Sequence, residues 1–347
     1  MRVLVEIVHP ANVLFFNRPI RYLRERGDEV RVVSRHKDIA TSLLDSMSIE
    51  HTPISRAGSG LFGLASELVL RDTRLSGIVR KFRPHVMIGF GGLAISHVGR
   101  LLGVPAVAFY DTEVAQLQTR LTWPFITHLY VPDSYRGKVP EGRHTRVPGS
   151  KDLSYFHPAA FIPSHEIAVA NGLDPRRDNF FVRLVSWRAN HDLGKSGLSL
   201  DVARPLIAFL QSVGKVHLSS ERPLPPDLEA LRYRGTPLDV HHLLAHCRLC
   251  IGESATMACE AALLGTPSIY ASTDFRGYVE QLVASGLIVS APEPDSHSLI
   301  RHVEGTLVRG RDHTVAARDA WLQGKPDWAR LVVEALDRHA LREPARG

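Results

Sequence analysis

Residues 251–267, IGESATMACEAALLGTP, contain the pattern from which the fold of the chain follows most directly. The apolar run just before them predicts a buried strand. Gly252 interrupts this run, and either Ser254 or Thr256 can cap a helix that begins there. The helix is rich in Ala and Leu, and we expect it to end at Gly265, because glycine is the preferred residue after a helix. Strand, glycine turn and helix in this order are typical of one half of a nucleotide-binding α/β unit.

The start of this predicted helix offers free backbone N–H groups and a partial positive charge, which suit a diphosphate. Glu260 lies one to two turns further along, where its carboxylate can accept hydrogen bonds from two ribose hydroxyl groups. An ordinary α/β crossover with a merely solvated Glu260 is an equally good interpretation, since a short glycine motif is weak support. The candidate contacts at the turn are Gly252, Glu253, Ser254, Ala255 and Thr256.

The bulk composition indicates a globular protein of two domains. The chain has 347 residues, of which 44% are hydrophobic and 22% charged. No apolar run approaches the roughly 20 residues that span a bilayer, and the first residues are interpreted as a strand, not a signal peptide. The three cysteines favour a reducing compartment over a disulfide scaffold. We therefore expect a cytoplasmic protein.

The net charge of +6 permits an acidic partner, namely nucleic acid, anionic lipid headgroups or a phosphorylated substrate. The basic residues are scattered and balanced by 36 acidic ones, and no basic block alternates with aromatic residues. Nucleic-acid binding is therefore not expected, since it needs a concentrated basic face. The same charge is compatible with weak association with the inner face of a membrane that carries a lipid-linked acceptor.

Strands alternate with helices along most of the chain, which predicts an α/β fold with parallel, doubly wound sheets. Six strands are expected in the first half and five in the second. We expect an N-terminal domain over residues 1–150, a linker over 151–178, a C-terminal domain over 179–325, and a helix with a tail over 326–347. Because ligands of such sheets bind at the carboxyl ends of the strands, a cleft between the domains is the expected site.

In the first half, polar and glycine residues follow the predicted strands. His9 comes after the first strand, and an imidazole with a pKa of about 6.5 suits a general base for an acceptor hydroxyl. Asn12 is expected to cap the following helix. Asp111 and Glu113 follow the fifth strand and are suited to bind a divalent metal, take a proton, or hold sugar hydroxyls. His9, Asp111 and Glu113 are the catalytic candidates. The candidates for acceptor binding are Asn12 and two glycines that follow the fourth strand, Gly91 and Gly92.

In the second half, candidate donor contacts follow the first two strands. Arg183 can neutralise a diphosphate, Ser186 can donate a hydrogen bond to a phosphate, and Trp187 can stack on a base or a sugar. Plain packing is the alternative for Trp187. Ser220 and Glu221 end the next strand and are weaker candidates for contacts with the base or the ribose.

A run of histidines and cysteines before residue 251 has the spacing of a zinc site. His242 and His246 share a helix face, and Cys247 and Cys250 have ligand-like spacing. However, Cys250 falls in a predicted strand, so one cluster would have to span a helix and a buried strand. We therefore favour His241 or His242 as a lining of the nucleotide pocket, and expect no metal.

The pattern Gly-x-Ser-x-Thr-x-x-x-Glu-x-x-x-x-Gly-x-Pro of residues 252–267 resembles the nucleotide-sugar signature of GT-B glycosyltransferases. It is most similar to MurG-type N-acetylglucosaminyltransferases and to non-hydrolysing UDP-N-acetylglucosamine 2-epimerases. The glycines of residues 89–92 also resemble a MurG-type loop. Most of residues 1–290 resemble an uncharacterised GT-B-like family of archaea and bacteria, through the stretches His9-Pro10-Ala11, residues 89–92, Asp111-Thr112-Glu113, Val185-Ser186-Trp187 and residues 252–256.

The resemblance implies a GT-B-like fold with two Rossmann-like domains. It also implies a glycosyltransferase that takes a nucleoside-diphosphate sugar, with UDP as the expected nucleotide, and passes the sugar to a glycan or lipid-linked acceptor. His9 or Asp111 would be the base, and no cofactor or obligatory metal is expected. A 2-epimerase with the same donor pocket is one alternative, although the chain lacks the His-Arg-Arg-Glu-Asn-like loop of those enzymes. A non-catalytic protein that binds a sugar nucleotide is the other.

Overall fold

The structure is a computed structural model, and it describes residues 1–36, 38–56, 60–113, 115–185, 198–274 and 276–340. The chain divides into two units. Unit 1 consists of residues 1–160 together with the chain from residue 326 onward, and unit 2 consists of residues 161–325. The division falls between Ala160 and Phe161, inside the segment 151–178 that the sequence predicted as a linker.

Unit 1 is built on a parallel sheet of seven strands in the order β3-β2-β1-β4-β5-β6-β7. Its elements are β1 (Arg2–Ile7), α1 (Pro10–Glu25), β2 (Glu29–His36), α2 (Asp38–Ser46), β3 (His51–Arg56), α3 (Gly60–Phe82), β4 (Val86–Phe90), α4 (Leu93–Leu102), β5 (Ala106–Phe109), α5 (Gln116–Thr122), β6 (His128–Pro132), β7 (His144–Val147), α6 (Leu153–Phe156) and α13 (Trp328–His339).

The register of the first sheet places β1 in its interior, between β2 and β4. Val5 of β1 pairs with Val32 of β2 on one side and with Ile88 of β4 on the other. The strand order reverses between β1 and β4, so the carboxyl ends of these two strands form the switch point at which such sheets bind ligands. Residues on both faces of β1 are buried, as is usual for a parallel sheet covered by helices on both sides.

Unit 2 is built on a parallel sheet of five strands in the order β12-β11-β10-β8-β9. Its elements are α7 (His165–Ala170), β8 (Asn179–Leu184), α8 (Leu200–Val213), β9 (Lys215–Ser220), a 3₁₀ turn (Glu229–Leu231), α9 (Val240–His246), β10 (Leu249–Gly252), α10 (Ala255–Leu263), β11 (Ser268–Tyr270), α11 (Gly277–Ala284), β12 (Ile288–Ser290) and α12 (Ser296–Leu322). These five strands are the ones that the sequence predicted.

The seventh strand of unit 1, β7, was not predicted. Its sequence is His144-Thr145-Arg146-Val147, and of these four side chains only Val147 is buried. Because most of its side chains are not buried, this edge strand needs no apolar run. The hydrophobic periodicity of the sequence therefore does not reveal β7. Parallel pairing with β6 nevertheless places its carboxyl end beside that of β6.

Helix α13 belongs to unit 1, although it follows unit 2 in the chain. Its N-cap residue Asp327 accepts two hydrogen bonds from Arg18 of α1, at 2.8 and 3.0 Å. The indole Nε1 of Trp328 donates to the Pro148 carbonyl oxygen at 3.1 Å, and the side chain is buried. Among the described helices, none combines the length and the hydropathy that crossing a bilayer requires.

Candidate functional site

The turn between β10 and α10 is held against the neighbouring strand β8. A Cβ atom on Gly252 would lie 2.1 Å from the Arg183 carbonyl oxygen, so no other residue fits there without moving the backbone. The N–H of Glu253 donates to the same oxygen at 3.2 Å. Gly252 is therefore needed for close packing of the two strands at the carboxyl edge of the second sheet.

Ser254, not Thr256, is the N-cap residue of α10. Its Oγ accepts a hydrogen bond from the Met257 N–H at 3.3 Å. The N–H groups of Ala255 and Thr256 lie in the first helical turn, where the helix itself supplies no acceptor. The turn thus presents backbone donors and the positive end of the helix dipole at the edge of the sheet.

Glu253 uses its carboxylate to hold backbone groups. Its Oε2 accepts from the Val185 N–H and its Oε1 from the Leu198 N–H, both at 2.9 Å, and the side chain is buried. Two backbone donors satisfy a buried carboxylate well. Glu253, which the sequence predicted as a sugar-nucleotide contact, therefore fixes the backbone at Val185 and at Leu198. The predicted contacts Ser186 and Trp187 lie outside the described residues.

Arg183 lies at the end of β8 and forms an ion pair with Glu221. The Nη2 to Oε1 distance is 2.7 Å, and Nη1 also donates to Ser219 Oγ at 2.8 Å. Glu221 is half exposed, and a pair open to water on one side contributes at most about 1 kcal/mol. A diphosphate can therefore replace Glu221 as the partner of Arg183 at little cost. Ser220 Oγ accepts from the Arg222 N–H at 3.1 Å.

Glu260 lies in the interior of unit 2, with only 4% of its surface exposed. Its Oε2 is 3.1 Å from Nε2 of His241 on α9, which is also buried. The structure thus brings together two residues that the sequence assigned separately to the ribose contact and to the nucleotide pocket. This pairing links α9 to α10.

The histidine and cysteine run does not converge on one point. Cys247 and Cys250 are buried, and burial raises the pKa of both thiols, which disfavours the thiolate form that zinc requires. His242 instead accepts a hydrogen bond at Nδ1 from the Ser164 N–H at 2.9 Å. Within the described ranges, no group of three or more His, Cys, Asp or Glu residues could hold a metal ion.

A cavity of about 480 Å³ opens at the carboxyl ends of β11 and β12, which is a typical size for a small-molecule site. None of the described residues that were predicted to bind the donor line it. Its wall includes hydroxyl, carboxylate and guanidinium groups, contributed by Tyr270, Ser272, Thr273, Asp274, Arg276 and Glu280. The polar run 272–274, which begins two residues after a predicted strand, is the signal by which the sequence could have revealed this cavity.

His9 occupies the N-cap position of α1 in unit 1. Its Nδ1 accepts a hydrogen bond from the Ala11 N–H at 3.3 Å. When Nδ1 accepts, the neutral imidazole carries its proton on Nε2. This tautomer suits a hydrogen bond from Nε2 to an oxygen, and the role of His9 as a base stays a prediction.

Asn12 does not cap α1, contrary to the prediction, because the helix begins at Pro10 and His9 precedes it. The Asn12 side chain is buried, and its Oδ1 has no hydrogen-bond partner among the described residues. At the neighbouring switch-point strand, Gly91 and Gly92 have φ angles of 83° and 65°. Glycine adopts this left-handed region readily, so these two residues shape the backbone before α4.

Asp111 is buried after β5 and paired with a residue that the sequence did not single out. Its Oδ2 accepts from Lys151 Nζ at 2.6 Å, and its Oδ1 accepts from Thr112 Oγ1 at 3.1 Å. Lys151 is also buried and follows β7. No spacing rule connects positions 111 and 151, because the contact depends on the unpredicted strand β7.

Glu113 lies two residues further along the same loop and is partly exposed. Burial raises the pKa of the nearby Tyr135 to about 12, with further contributions from the charges of Glu113 and Asp111. The phenol therefore stays protonated at neutral pH. Of the two carboxylates in this loop, Glu113 is the more open to a ligand.

Comparison with known proteins agrees with this architecture. Residues 1–138 match a family described as protein of unknown function (DUF354), which confirms the resemblance to an uncharacterised family for this part of the chain. A GDP-mannose-dependent alpha-mannosyltransferase of Mycolicibacterium smegmatis is 31% identical over 134 residues, which cover 33% of this chain and 34% of that protein. The chain thus matches only about a third of the length of this curated relative.

Solved structures match over nearly the full length. A putative UDP-N-acetylglucosamine 2-epimerase from Listeria monocytogenes has a TM-score of 0.71 at 13% identity, covering 100% of this chain and 98% of that one. The 2-epimerase from Neisseria meningitidis bound to UDP-GlcNAc has a TM-score of 0.69 at 11% identity, with 97% and 100% covered. MurG of Acinetobacter baumannii has a TM-score of 0.62 at 13% identity, with 97% and 100% covered. The chain therefore has the two-domain GT-B fold shared by these proteins.

Proposed function

We propose that this protein is a GT-B-type glycosyltransferase that binds a nucleoside-diphosphate sugar in unit 2. The observation that carries the proposal is the start of α10, whose first-turn N–H groups lie at the carboxyl end of β10, while a cavity with several polar groups in its otherwise apolar wall lies at the ends of β11 and β12 in the same sheet. A helix start binds phosphate, and a cavity of this size with a few polar groups suits a small ligand such as a sugar.

In this proposal the diphosphate accepts hydrogen bonds from the Ala255 and Thr256 N–H groups and is neutralised by Arg183. The sugar lies in the cavity, where Asp274 and Glu280 accept hydrogen bonds from its hydroxyl groups. We propose UDP as the nucleotide, because proteins of similar fold bind UDP or UDP-GlcNAc. GDP is the competing choice, because the mannosyltransferase relative is named for it.

Unit 1 would supply the acceptor-binding groups. Asp111 would hold the acceptor hydroxyl, and the more exposed Glu113 would take its proton as the acceptor oxygen bonds to the anomeric carbon. The bond from that carbon to the diphosphate oxygen breaks, and the nucleoside diphosphate leaves with the electron pair. Backbone N–H groups and Arg183 would stabilise the charge that develops on the leaving oxygen. His9 would donate a hydrogen bond to an oxygen of the reacting group.

A 2-epimerase is the second candidate, and the carboxylates of Asp111 and Glu113 after β5 favour it, because epimerisation needs groups that move a proton. Turnover in deuterated water separates the two reactions. An epimerase incorporates deuterium at C2 of the sugar without any acceptor, whereas a transferase releases free nucleoside diphosphate only when an acceptor is present.

The substitution Ala255→Pro tests the donor site. Ala255 is the first residue of α10, a position at which proline fits a helix but removes one N–H donor. The preceding Ser254 has the extended backbone that a following proline requires. Ser296→Pro is the matched control, because it places proline at the first position of α12 after an extended N-cap residue.

Isothermal calorimetry with UDP and GDP reads out both variants. We expect Ala255→Pro to weaken diphosphate binding about 10-fold, since a hydrogen bond to a charged group is worth about 1.5–3 kcal/mol. Ser296→Pro should bind as the wild type does. Equal affinities for wild type and Ala255→Pro would rule out the α10 turn as the phosphate site.

A further inference from the structure

Lys151 and Asp111 form an ion pair that is almost wholly inside unit 1. The two side chains are 7% and 6% exposed, and Nζ lies 2.6 Å from Oδ2. Burying a lysine costs several kcal/mol of hydration, and a carboxylate at hydrogen-bond distance is what offsets such a cost. An apolar residue at position 151 would avoid this cost, so packing alone does not account for a lysine here.

The segment that carries Lys151 is fixed on the first helix. Ser154 Oγ donates to the Phe15 carbonyl oxygen at 2.5 Å, and Arg18 Nη1 donates to the Ser154 carbonyl oxygen at 2.9 Å. Beside Lys151, Tyr155 OH donates to Asp152 Oδ1 at 2.7 Å. The backbone of this segment is therefore held in place, and the ammonium group has a defined position at the end of β5.

The consequence for Asp111 is that both of its oxygens have a fixed direction. Oδ2 accepts from Lys151 and Oδ1 accepts from Thr112. A carboxylate held in this way keeps one rotamer and offers its remaining lone pairs to a ligand at a fixed place. The same contacts leave the partly exposed Glu113 as the carboxylate better suited to take a proton.

We propose that Lys151 is a positioning residue for the acceptor. It holds the Asp111 carboxylate in the orientation in which Asp111 binds the acceptor hydroxyl. This inference rests on the proposed transferase function. Lys151 acts on the reaction through Asp111 and not by contact with the reacting atoms, so its effect on kcat should disappear when Asp111 is replaced by Asn. Its second ion pair, with Asp152 Oδ1 at 3.9 Å, contributes to stability.

The test compares steady-state transfer for wild type, Lys151→Met, Lys151→Arg, Asp111→Asn and the double variant Lys151→Met/Asp111→Asn. We expect Lys151→Met to lower kcat up to about 100-fold, as a displaced positioning group does. The donor KM should change less than about twofold, because the donor contacts lie in unit 2. Lys151→Arg should restore part of kcat, since it keeps the charge.

The double variant distinguishes positioning from a general loss of structure. In the Asp111→Asn background, Lys151→Met should change kcat less than about twofold, because residues that act as a unit are not additive. Arg71→Met is the control, as it also removes a cation from a buried ion pair of unit 1, with Glu6. The kcat of Arg71→Met, calculated per folded molecule, should equal that of the wild type.

Two results overturn the inference while leaving the proposed function intact. One is a wild-type kcat in Lys151→Met. The other is a loss of kcat on Lys151→Met that is equally large in the wild-type and the Asp111→Asn background. A wild-type protein that consumes no nucleotide sugar with any acceptor contradicts the proposed function itself, and the inference with it. Should Lys151→Met not fold, the partial loss of kcat in Lys151→Arg is compared with its effect in the Asp111→Asn background, where we expect no further loss.

Discussion

Gly252 shows how one residue type can be required by a backbone contact. At their carboxyl ends, strands β8 and β10 are joined by an ordinary hydrogen bond from the Glu253 N–H to the Arg183 carbonyl oxygen at 3.2 Å. The space beside Gly252 is filled by that same carbonyl group, which belongs to the backbone and has no rotamer by which to move. The sequence pattern associates Gly252 with a ligand, but the packing of β10 against β8 already requires a glycine at this position.

The substitution Gly252→Ala is expected to destabilise unit 2 by about 3 kcal/mol, because overpacking against rigid backbone costs about 1–3 kcal/mol or somewhat more. Guanidinium denaturation followed by circular dichroism measures this. Gly305→Ala is the control, since Gly305 lies in α12 with open space around its Cβ position, and alanine there should stabilise the helix by up to about 1 kcal/mol. Unchanged stability of Gly252→Ala would contradict the close packing of β8 against β10.

At the scale of single elements, β9 carries a buried histidine with a consequence for pH. His217 donates from Nε2 to Asn179 Oδ1 at 2.9 Å. Burial, with a smaller effect of Lys215, lowers its pKa from 6.5 to about 4. In the unfolded chain this histidine binds a proton below about pH 6.5, whereas in the folded protein it does so only near pH 4. The folded state thus binds fewer protons between these values.

Stability of unit 2 should therefore fall as the pH is lowered from about 6.5 to 4, by at most about 3 kcal/mol from this residue. Above about pH 6.5 the residue has no effect. Denaturation midpoints at about pH 7 and about pH 5 for wild type and His217→Gln test this, with the exposed His302→Gln as control. A glutamine side chain does not titrate, so a pH dependence of His217→Gln equal to that of wild type would show that His217 is not its cause.

The sequence predicts elements well where a local pattern defines them. Four strands of unit 2 contain consecutive apolar residues, and β9 alternates apolar with polar residues. The helix from Ala255 has both a capping residue and a glycine after its end. Prediction from the sequence fails for β7, whose residues are mostly polar. It also fails for the N-cap of α1, where a histidine stands in place of the expected Asn12. Histidine is an uncommon N-cap, so propensity rules favour the asparagine.

Site contacts are less predictable, because they join residues distant in sequence. The pairs Glu260 with His241 and Asp111 with Lys151 depend on how elements pack, and neither partner's position follows from the other's. The cavity residues Asp274 and Arg276, by contrast, could have been predicted. These residues follow a predicted strand, and applying the strand-end rule to β11 would have included them.

At the scale of the whole molecule, the chain returns to its first unit after completing the second. Trp328 begins α13, is 1% exposed, and lies 6.1 Å from Phe109 between ring centroids. Its indole also satisfies the Pro148 carbonyl oxygen. The last described helix is thus a part of the core of unit 1, and a chain truncated before residue 326 would lack it.

We expect Trp328→Ala to destabilise unit 1 by about 3–5 kcal/mol, the usual cost of removing a buried tryptophan. Nucleotide affinity should stay within about twofold of the wild-type value. The donor contacts lie in unit 2, and substitutions at distant sites act independently. Calorimetry and thermal unfolding measure the two effects. Leu101→Ala, at a residue that is 70% exposed, should change stability by less than about 0.5 kcal/mol. A large loss of nucleotide binding in Trp328→Ala would contradict the assignment of the donor site.

The most direct test of the central claim is the binding of nucleotides to the wild-type protein by isothermal calorimetry. The panel consists of UDP, GDP, UMP, GMP, UDP-N-acetylglucosamine and GDP-mannose. We predict micromolar binding of a nucleoside diphosphate and its sugar, with UDP preferred, and much weaker binding of the monophosphate, because the α10 turn recognises the diphosphate. If no member of the panel binds, the turn at residues 252–256 is only part of the scaffold and the proposed donor site is wrong.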